Sequence, residues 1–489
     1  MDNVRKIAAN TLSLSIAELI GKFGQFLIFV YIARSMGNVI FGTFNFAYSF
    51  SLIAIVFADI GINFMLVREI SKNRDRIGEY IGNSFIIKIA FSILTFLAVA
   101  AIMKAGGFEE TKRNVVYLIF LYIIMRSFCE LLFVVFRVFE KMHYEAVIKF
   151  ISTLALGAAV FFSIFQKLSI VQISLVYVAV QSFILLLTIG IVIARFTKIS
   201  SKFDFNLSKE IILKASPFTL SLIFASIYFY IDSVMLSIMK GDASVGIYSA
   251  AYNITLAILV IPAMYTYAIY PLLSRKFGNG AEGRIHDKSA GLIYERSFKY
   301  LYMIGLPVSV GIFALSRQII LFIYGSGYSG STIALQILAW FVFMKFLSYL
   351  TGIILSSIDR QYLRMYSQGI AALINLSMNL FLIPKYGLIG AGISTLVSEA
   401  ALFVSSQFFV SKYFYKLKFK KILAKPIIAS LVMYLVVYFA DVPTILRIVI
   451  GAAAYGIAIL MLGYLDKQDW IFIKRIIPSE SVKKMVPYE

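Results

Sequence analysis

The feature that most constrains this chain is the recurrence, along its whole length, of apolar runs of about 20 residues or more separated by short basic segments. A helix needs about 20 apolar residues to cross the hydrocarbon layer, where each backbone amide must find its partner inside the protein. On that ruler the sequence predicts fourteen spans, at about 8–32, 42–66, 81–103, 114–136, 146–166, 170–194, 211–239, 244–273, 297–316, 331–356, 363–383, 388–411, 422–440 and 445–464. The alternating ten-residue strands of a membrane barrel are absent. Hydrophobic residues make up 60% of the chain and charged ones 15%, more apolar surface than one soluble core can hide. The chain therefore reads as an all-α integral membrane protein. Its first apolar run, Ala8 to Ile32, is too long for a signal peptide and holds Glu18 and Lys22, so it reads as a retained span.

The formal charge of +21 does not point to nucleic acid, because the basic residues sit in short loops rather than on a polar fold. They suit an anionic membrane face or an anionic lipid substrate. Lys and Arg divide 32 to 9 between alternate loops, which predicts a multi-pass protein of the cytoplasmic membrane with both termini in the cytoplasm. The single cysteine, Cys129, excludes an intramolecular disulfide and any CxxC site. His143 and His286 are isolated, and no Walker lysine, HExxH or GxSxG motif occurs. Gly325 to Gly330 matches GxGxxG only formally, with no strand before it, and reads as a loop. No enzyme activity, catalytic residue, metal site or cofactor is expected.

An internal echo organises the spans. Gly37, Gly42, Phe44, Ala47 and Tyr48 recur 204 positions later as Gly241, Gly246, Tyr248, Ala251 and Tyr252. Each half holds an even number of spans, so both insert with one orientation, and a pseudo-twofold axis along the membrane normal follows. The expected plan is a six-helix bundle over 1–195, a cytoplasmic linker over 196–210, and a second six-helix bundle over 211–411. Two additional helices over 412–464 and a basic cytoplasmic tail over 465–489 complete it. The repeated glycine segments read as turns between spans one and two and between spans seven and eight, with a structural role.

Ionisable residues inside spans face a wet cavity or a partner, because hydrocarbon makes them costly. Glu18 and Lys22 are i,i+4 neighbours in span one, and Arg126 and Glu130 repeat the pairing in reverse order in span four. Each pair either neutralises itself and fixes packing, or holds Lys22 and Arg126 toward a lumen where a phosphate binds. Asp232 stands in span seven without a cation on its own helix, as a coupling-ion or proton site or as half of an inter-helix ion pair. Asp59, just before Gly61, reads as structural. Lys88 and Lys149 lie within snorkelling reach of the inner face, and Lys345 and Glu399 are further candidates.

With these residues in view, the chain resembles the polysaccharide flippases, movers of lipid-linked oligosaccharides within the multidrug/oligosaccharidyl-lipid/polysaccharide exporter superfamily. The likeness covers nearly the whole chain. It is carried by YIARSMGNVIFGTFNFAYS, ADIGINFMLVREIS, FRVFEKMHYEAV, YIDSVMLSIMKGDASVGIYSAAYNI, YGSGYSGSTIALQILAW and LIPKYGLIGAGISTLVSE. The resemblance implies a cationic central cavity that receives the diphosphate and glycan while the polyprenyl tail stays in lipid. It points to Lys22, Arg34 and Arg126 as the cationic positions, with Glu18, Glu130, Asp232 and Asp59 in supporting or coupling roles. The expected function is alternating-access transfer of a polyprenyl-diphosphate-linked oligosaccharide between leaflets, with glycan assembly enzymes as partners, the coupling ion open, and spans thirteen and fourteen forming a lateral groove for the tail. The rival readings are a cation-coupled multidrug antiporter, which predicts an acidic cavity around Asp59 and Asp232, and a membrane scaffold or receptor without transport.

Overall fold

A computed structural model describes residues 2–70, 76–197, 199, 202–277, 288–417, 419–466 and 469. Lys72, Arg74 and most of the basic tail expected over 465–489 lie outside the described residues. The fold is α-helical, with no strand among the described residues. The helices of the first half are α1 (Asp2–Asp59), α2 (Ile62–Ile70), α3 (Ile77–Ala105), α4 (Glu110–Val138), α5 (Met142–Phe165) and α6 (Ile170–Arg195). The second half has α7 (Phe205–Lys240), α8 (Asp242–Ile258), α9 (Val260–Phe277), α10 (Lys288–Tyr324), α11 (Ser331–Ser357), α12 (Gln361–Tyr386) and α13 (Leu388–Tyr413). Two more helices follow, α14 (Phe419–Phe439) and α15 (Thr444–Met461).

Thirteen helical segments of the described residues are long and apolar enough to span a membrane, and the first of them, Ala17–Asp59, is 43 residues long. It bends at Gly37, whose φ of 80° and ψ of 173° are not helical, so it supplies two limbs and the thirteen segments provide fourteen candidate spans. Gly241, the echo of Gly37, has φ 82° and ψ 168°, the same left-handed conformation that a side chain would penalise. The two bends are thus one backbone device used twice.

The next glycine of each copy sets the contact between the halves. A Cβ on Gly42 would lie 1.8 Å from the carbonyl oxygen of Asp242, and a Cβ on Gly246 would lie 1.9 Å from that of Asn38. Asn38 and Asp242 are themselves equivalent positions of the echo. The α1 limb after the bend and α8 therefore cross backbone to backbone through a reciprocal glycine pair, the close approach that small residues allow between membrane helices. This crossing lies on the pseudo-twofold axis.

Several boundaries differ from expectation for local reasons. The second span ends at Asp59 rather than near 66, because Ile60 and Gly61 take positive φ (45° and 66°) and α2 starts afresh. Gly61 has no room for a side chain, since a Cβ would meet the Phe218 Cβ at 2.9 Å. The linker is shorter than 196–210: the Asp204 carboxylate accepts bonds from the backbone N–H groups of Asn206 (2.9 Å) and Leu207 (3.1 Å), capping α7 from Phe205. The eighth span is interrupted between α8 and α9, where Pro262 lacks the donor that would continue the ladder.

In the first half α1 packs on α4 and α5, and α4 on α6; in the second, α11 packs on α10 and α13, and α12 on α7 and α13. Helices α14 and α15 pack on each other and on α10, outside both bundles. An apolar groove of about 620 Å³ runs among these three, lined by Pro307, Gly311, Leu315, Met433, Val437 and Gly451 among others.

Candidate functional site: a central cavity with two unpaired cations

Two adjoining cavities occupy the middle of the molecule. One, of about 560 Å³, lies inside the first bundle among α1, α4, α5 and α6. The other, of about 350 Å³, lies between the halves, with α1 and α4 on one side and α7, α8 and Tyr349 of α11 on the other. Lys22, Gln25, Phe29, Tyr48 and Arg126 line both, so these side chains form the junction.

At that junction Tyr48 is the fixed point. Its hydroxyl accepts from Gln25 Nε2 at 2.7 Å and from Arg126 Nη1 at 3.2 Å, which aims the guanidinium into the cavity. Tyr252, its echo, lines the second cavity and spends its proton on the Phe229 carbonyl at 3.1 Å. The repeated tyrosines are thus part of the cavity wall.

The two same-helix charge pairs do not close. Glu130 is bound instead by Arg137 Nη2 and by Lys149 Nζ, both at 3.2 Å, and the same two cations hold the buried Glu145 at 2.6 and 2.8 Å. An arginine four residues before a glutamate is the weaker orientation of such a pair, and a ring of two cations and two carboxylates serves Glu130 better. That ring neutralises itself. Among the described residues neither Lys22 nor Arg126 has a carboxylate within ion-pair distance, although Glu18 lines the same cavity as Lys22. The junction therefore presents two unneutralised cations to a wet, concave space, an arrangement suited to an oxyanion.

The remaining candidates lie elsewhere. Arg34 is exposed, near the Gly37 bend, and lines neither cavity. Asp59 is ion-paired with Lys88 and accepts from the Ser127 hydroxyl at 2.9 Å. Lys88 does not snorkel: it is fully buried, and its ammonium also donates to the Ser127 carbonyl at 2.7 Å. Asp232 is buried and held by neutral donors, the Tyr248 hydroxyl at 3.0 Å with Thr395 and Asn379, and no cation partner appears among the described residues. Lys345 and Glu399 pair with each other at 2.8 Å, with Tyr228 and Ser348 also donating to Glu399.

Lys149 is read from the sequence as a residue within snorkelling reach, whereas Arg137 and Glu145 escape that reading because they fall at the ends of spans, where charged residues ordinarily mark loops. The available signal was the Glu145/Lys149 spacing of four, which puts an acid and a base on one helix face.

A multi-pass membrane protein built from two related helical bundles around a cationic cavity is a transporter-type fold. The family model described as "Polysaccharide biosynthesis protein" matches residues 7–277, more than half of the chain, and the chain belongs to that family. A second model, MatE, matches residues 217–381. A relative from Haloferax volcanii, named "Probable low-salt glycan biosynthesis flippase Agl15", is 22% identical over 395 residues, covering 81% of each chain. The solved structure of the lipid II flippase MurJ in an inward closed conformation shares the fold, with a TM-score of 0.77 and 17% identity, over 92% of this chain and 98% of that one. An inward-facing multidrug-resistance MATE transporter aligns with a TM-score of 0.61 and 16% identity, over 85% of this chain and 100% of that one.

Proposed function

We propose that this protein is a flippase that moves a polyprenyl-diphosphate-linked oligosaccharide across the cytoplasmic membrane by alternating access. The observation that carries this reading is the junction of the two cavities, where Lys22 and Arg126 stand without a carboxylate partner among the described residues. A diphosphate cannot cross hydrocarbon unaided, whereas its apolar tail never has to leave it. Lys22 and Arg126 receive the diphosphate, and the two bundles rock about the glycine crossing to change the side from which the cavity is reached. The groove among α10, α14 and α15 holds the tail. The name of the Haloferax relative and the fold shared with MurJ support the same reading.

The 32 to 9 division of Lys and Arg supports cytoplasmic termini and puts the Gly37 and Gly241 bends on the outer side. The halves are sealed at that side by the crossing, so the cavity is reached from the cytoplasm, where glycan assembly enzymes supply the lipid and basic loops meet anionic lipid heads. Asp232, buried among neutral donors, is the candidate for coupling to an ion. The multidrug antiporter remains the rival because of the MATE-like fold, but a cationic junction repels the cationic drugs that reading requires. The test is a proteoliposome assay run in parallel on a polyprenyl-diphosphate oligosaccharide and on a cationic dye. The account expects leaflet transfer of the former alone; ion-driven dye transport without lipid transfer would reverse the assignment.

A further inference from the structure

The pseudo-symmetry pairs the first-bundle cavity with a counterpart in the second. A bay of about 230 Å³ is lined by α7, α11, α12 and α13, the helices equivalent to α1, α4, α5 and α6. It meets the cavity between the halves at Phe229 and Tyr349, which line both. The two bays differ in how their cations are used. In the first, Lys149 of α5 is held between Glu130 and Glu145. In the second, Lys345 is neutralised by Glu399, but Arg364 of α12 has no carboxylate within ion-pair distance among the described residues. Its one hydrogen bond among the described residues is a long one, Nη1 donating to the Ser356 hydroxyl at 3.4 Å.

Arg364 is nonetheless positioned. Its guanidinium lies across Gly352, where a Cβ would stand 3.4 Å from Nε, so the missing side chain makes the seat. Ser348, Gln368 and Ser406 add polar groups to the same wall. A guanidinium carries five N–H donors in a fork that matches two oxygens of a phosphate.

We propose that this bay is a second oxyanion site, centred on Arg364, which takes the phosphate-class head of the incoming lipid before it reaches Lys22 and Arg126. The inference rests on the flippase reading for its ligand. Its physical basis, an unpaired arginine seated in a polar bay that borders the central cavity, is independent of transport.

The test uses the full chain in phosphatidylcholine nanodiscs with Ala225→Cys, at an apolar position of the bay's lining, as a reporter thiol, the native Cys129 being buried. Inorganic pyrophosphate should slow modification of the reporter by a neutral maleimide, and Arg364→Gln should weaken that protection about tenfold, the size of one charge-assisted contact. Arg364→Lys, which keeps the charge and loses the fork, should fall between and covers the case that the glutamine variant does not fold. The double variant Lys22→Gln/Arg126→Gln should keep the protection. No protection in the parent, or equal loss in the double variant, would overturn a separate site. Polyprenyl diphosphate in the same neutral discs should protect as pyrophosphate does. Protection by phosphatidylglycerol discs alone would overturn assignment to the transported head group. Because no arm requires transport, failure of the flippase reading would show in the leaflet assay and not here.

Discussion

The turn at Gly37 and its copy at Gly241 share a backbone but not a charge. Each turn reaches across to the opposite half, one to the segment between α10 and α11 and the other to the first turn of α4. Asn38 Nδ2 donates to the Gly327 carbonyl at 3.4 Å, an exposed and long contact. Asp242, its equivalent, accepts from Lys112 Nζ at 2.6 Å and from the Thr43 hydroxyl at 2.8 Å, and Lys112 lies 4.1 Å from the centroid of the Phe46 ring. One copy is a neutral touch and the other a largely buried, charged clasp between the halves. A repeated backbone thus carries two different side-chain contacts between the halves.

The comparison can be broken most severely at its shared part. Gly246→Leu or Gly42→Leu should prevent the crossing, because even a Cβ would overlap a carbonyl carried by the opposite helix. Little folded protein should be recovered in size-exclusion chromatography, and normal recovery would refute the backbone contact. The charged copy comes next. Asp242→Asn should weaken the contact between the halves by about 3–5 kcal/mol, the scale for breaking a buried pair. Thiol labelling of Ser152→Cys in the cavity by an impermeant reagent added outside should rise, and the charge exchange Lys112→Asp/Asp242→Lys should partly restore the low rate. Failure of the exchange to recover anything would show that the pair is not what closes that side.

The tyrosine echo gives a smaller contrast. Tyr48→Phe removes the acceptor of both Gln25 and Arg126 and should slow lipid transfer about tenfold, the cost of one charge-assisted hydrogen bond. Tyr252→Phe loses only a bond to a backbone carbonyl and should change transfer less than threefold. Equal effects would mean that the two tyrosines do the same work. The smallest change is expected from Asn38→Ala, within about 0.5 kcal/mol in a thermal unfolding assay, because its bond is long and exposed.

Much of this fold is legible in the amino-acid sequence. Long apolar runs specified the helices, since a bilayer leaves few alternatives. The 204-residue echo foretold the bends and the axis. Periodicity could not show which side chain meets which across helices. The i,i+4 spacing left open whether Arg126 and Glu130 neutralise each other, and the packing decides it: Glu130 is bound by Arg137 of α4 and Lys149 of α5. Lys345 and Glu399 are 54 residues apart and pair through the packing of α11 on α13, which no local pattern encodes. Arg34, drawn in by likeness to a family, is exposed and lies beyond Phe29, the last α1 residue before the bend that lines either cavity.

The most direct test of the central claim is leaflet transfer of a polyprenyl-diphosphate oligosaccharide in proteoliposomes by the double variant Lys22→Gln/Arg126→Gln. Two lost charge-assisted contacts of about 1.5–3 kcal/mol each predict a fall of at least a hundredfold in a protein that still folds and inserts. Transfer at the parent rate would contradict the account and remove the cationic junction from the mechanism.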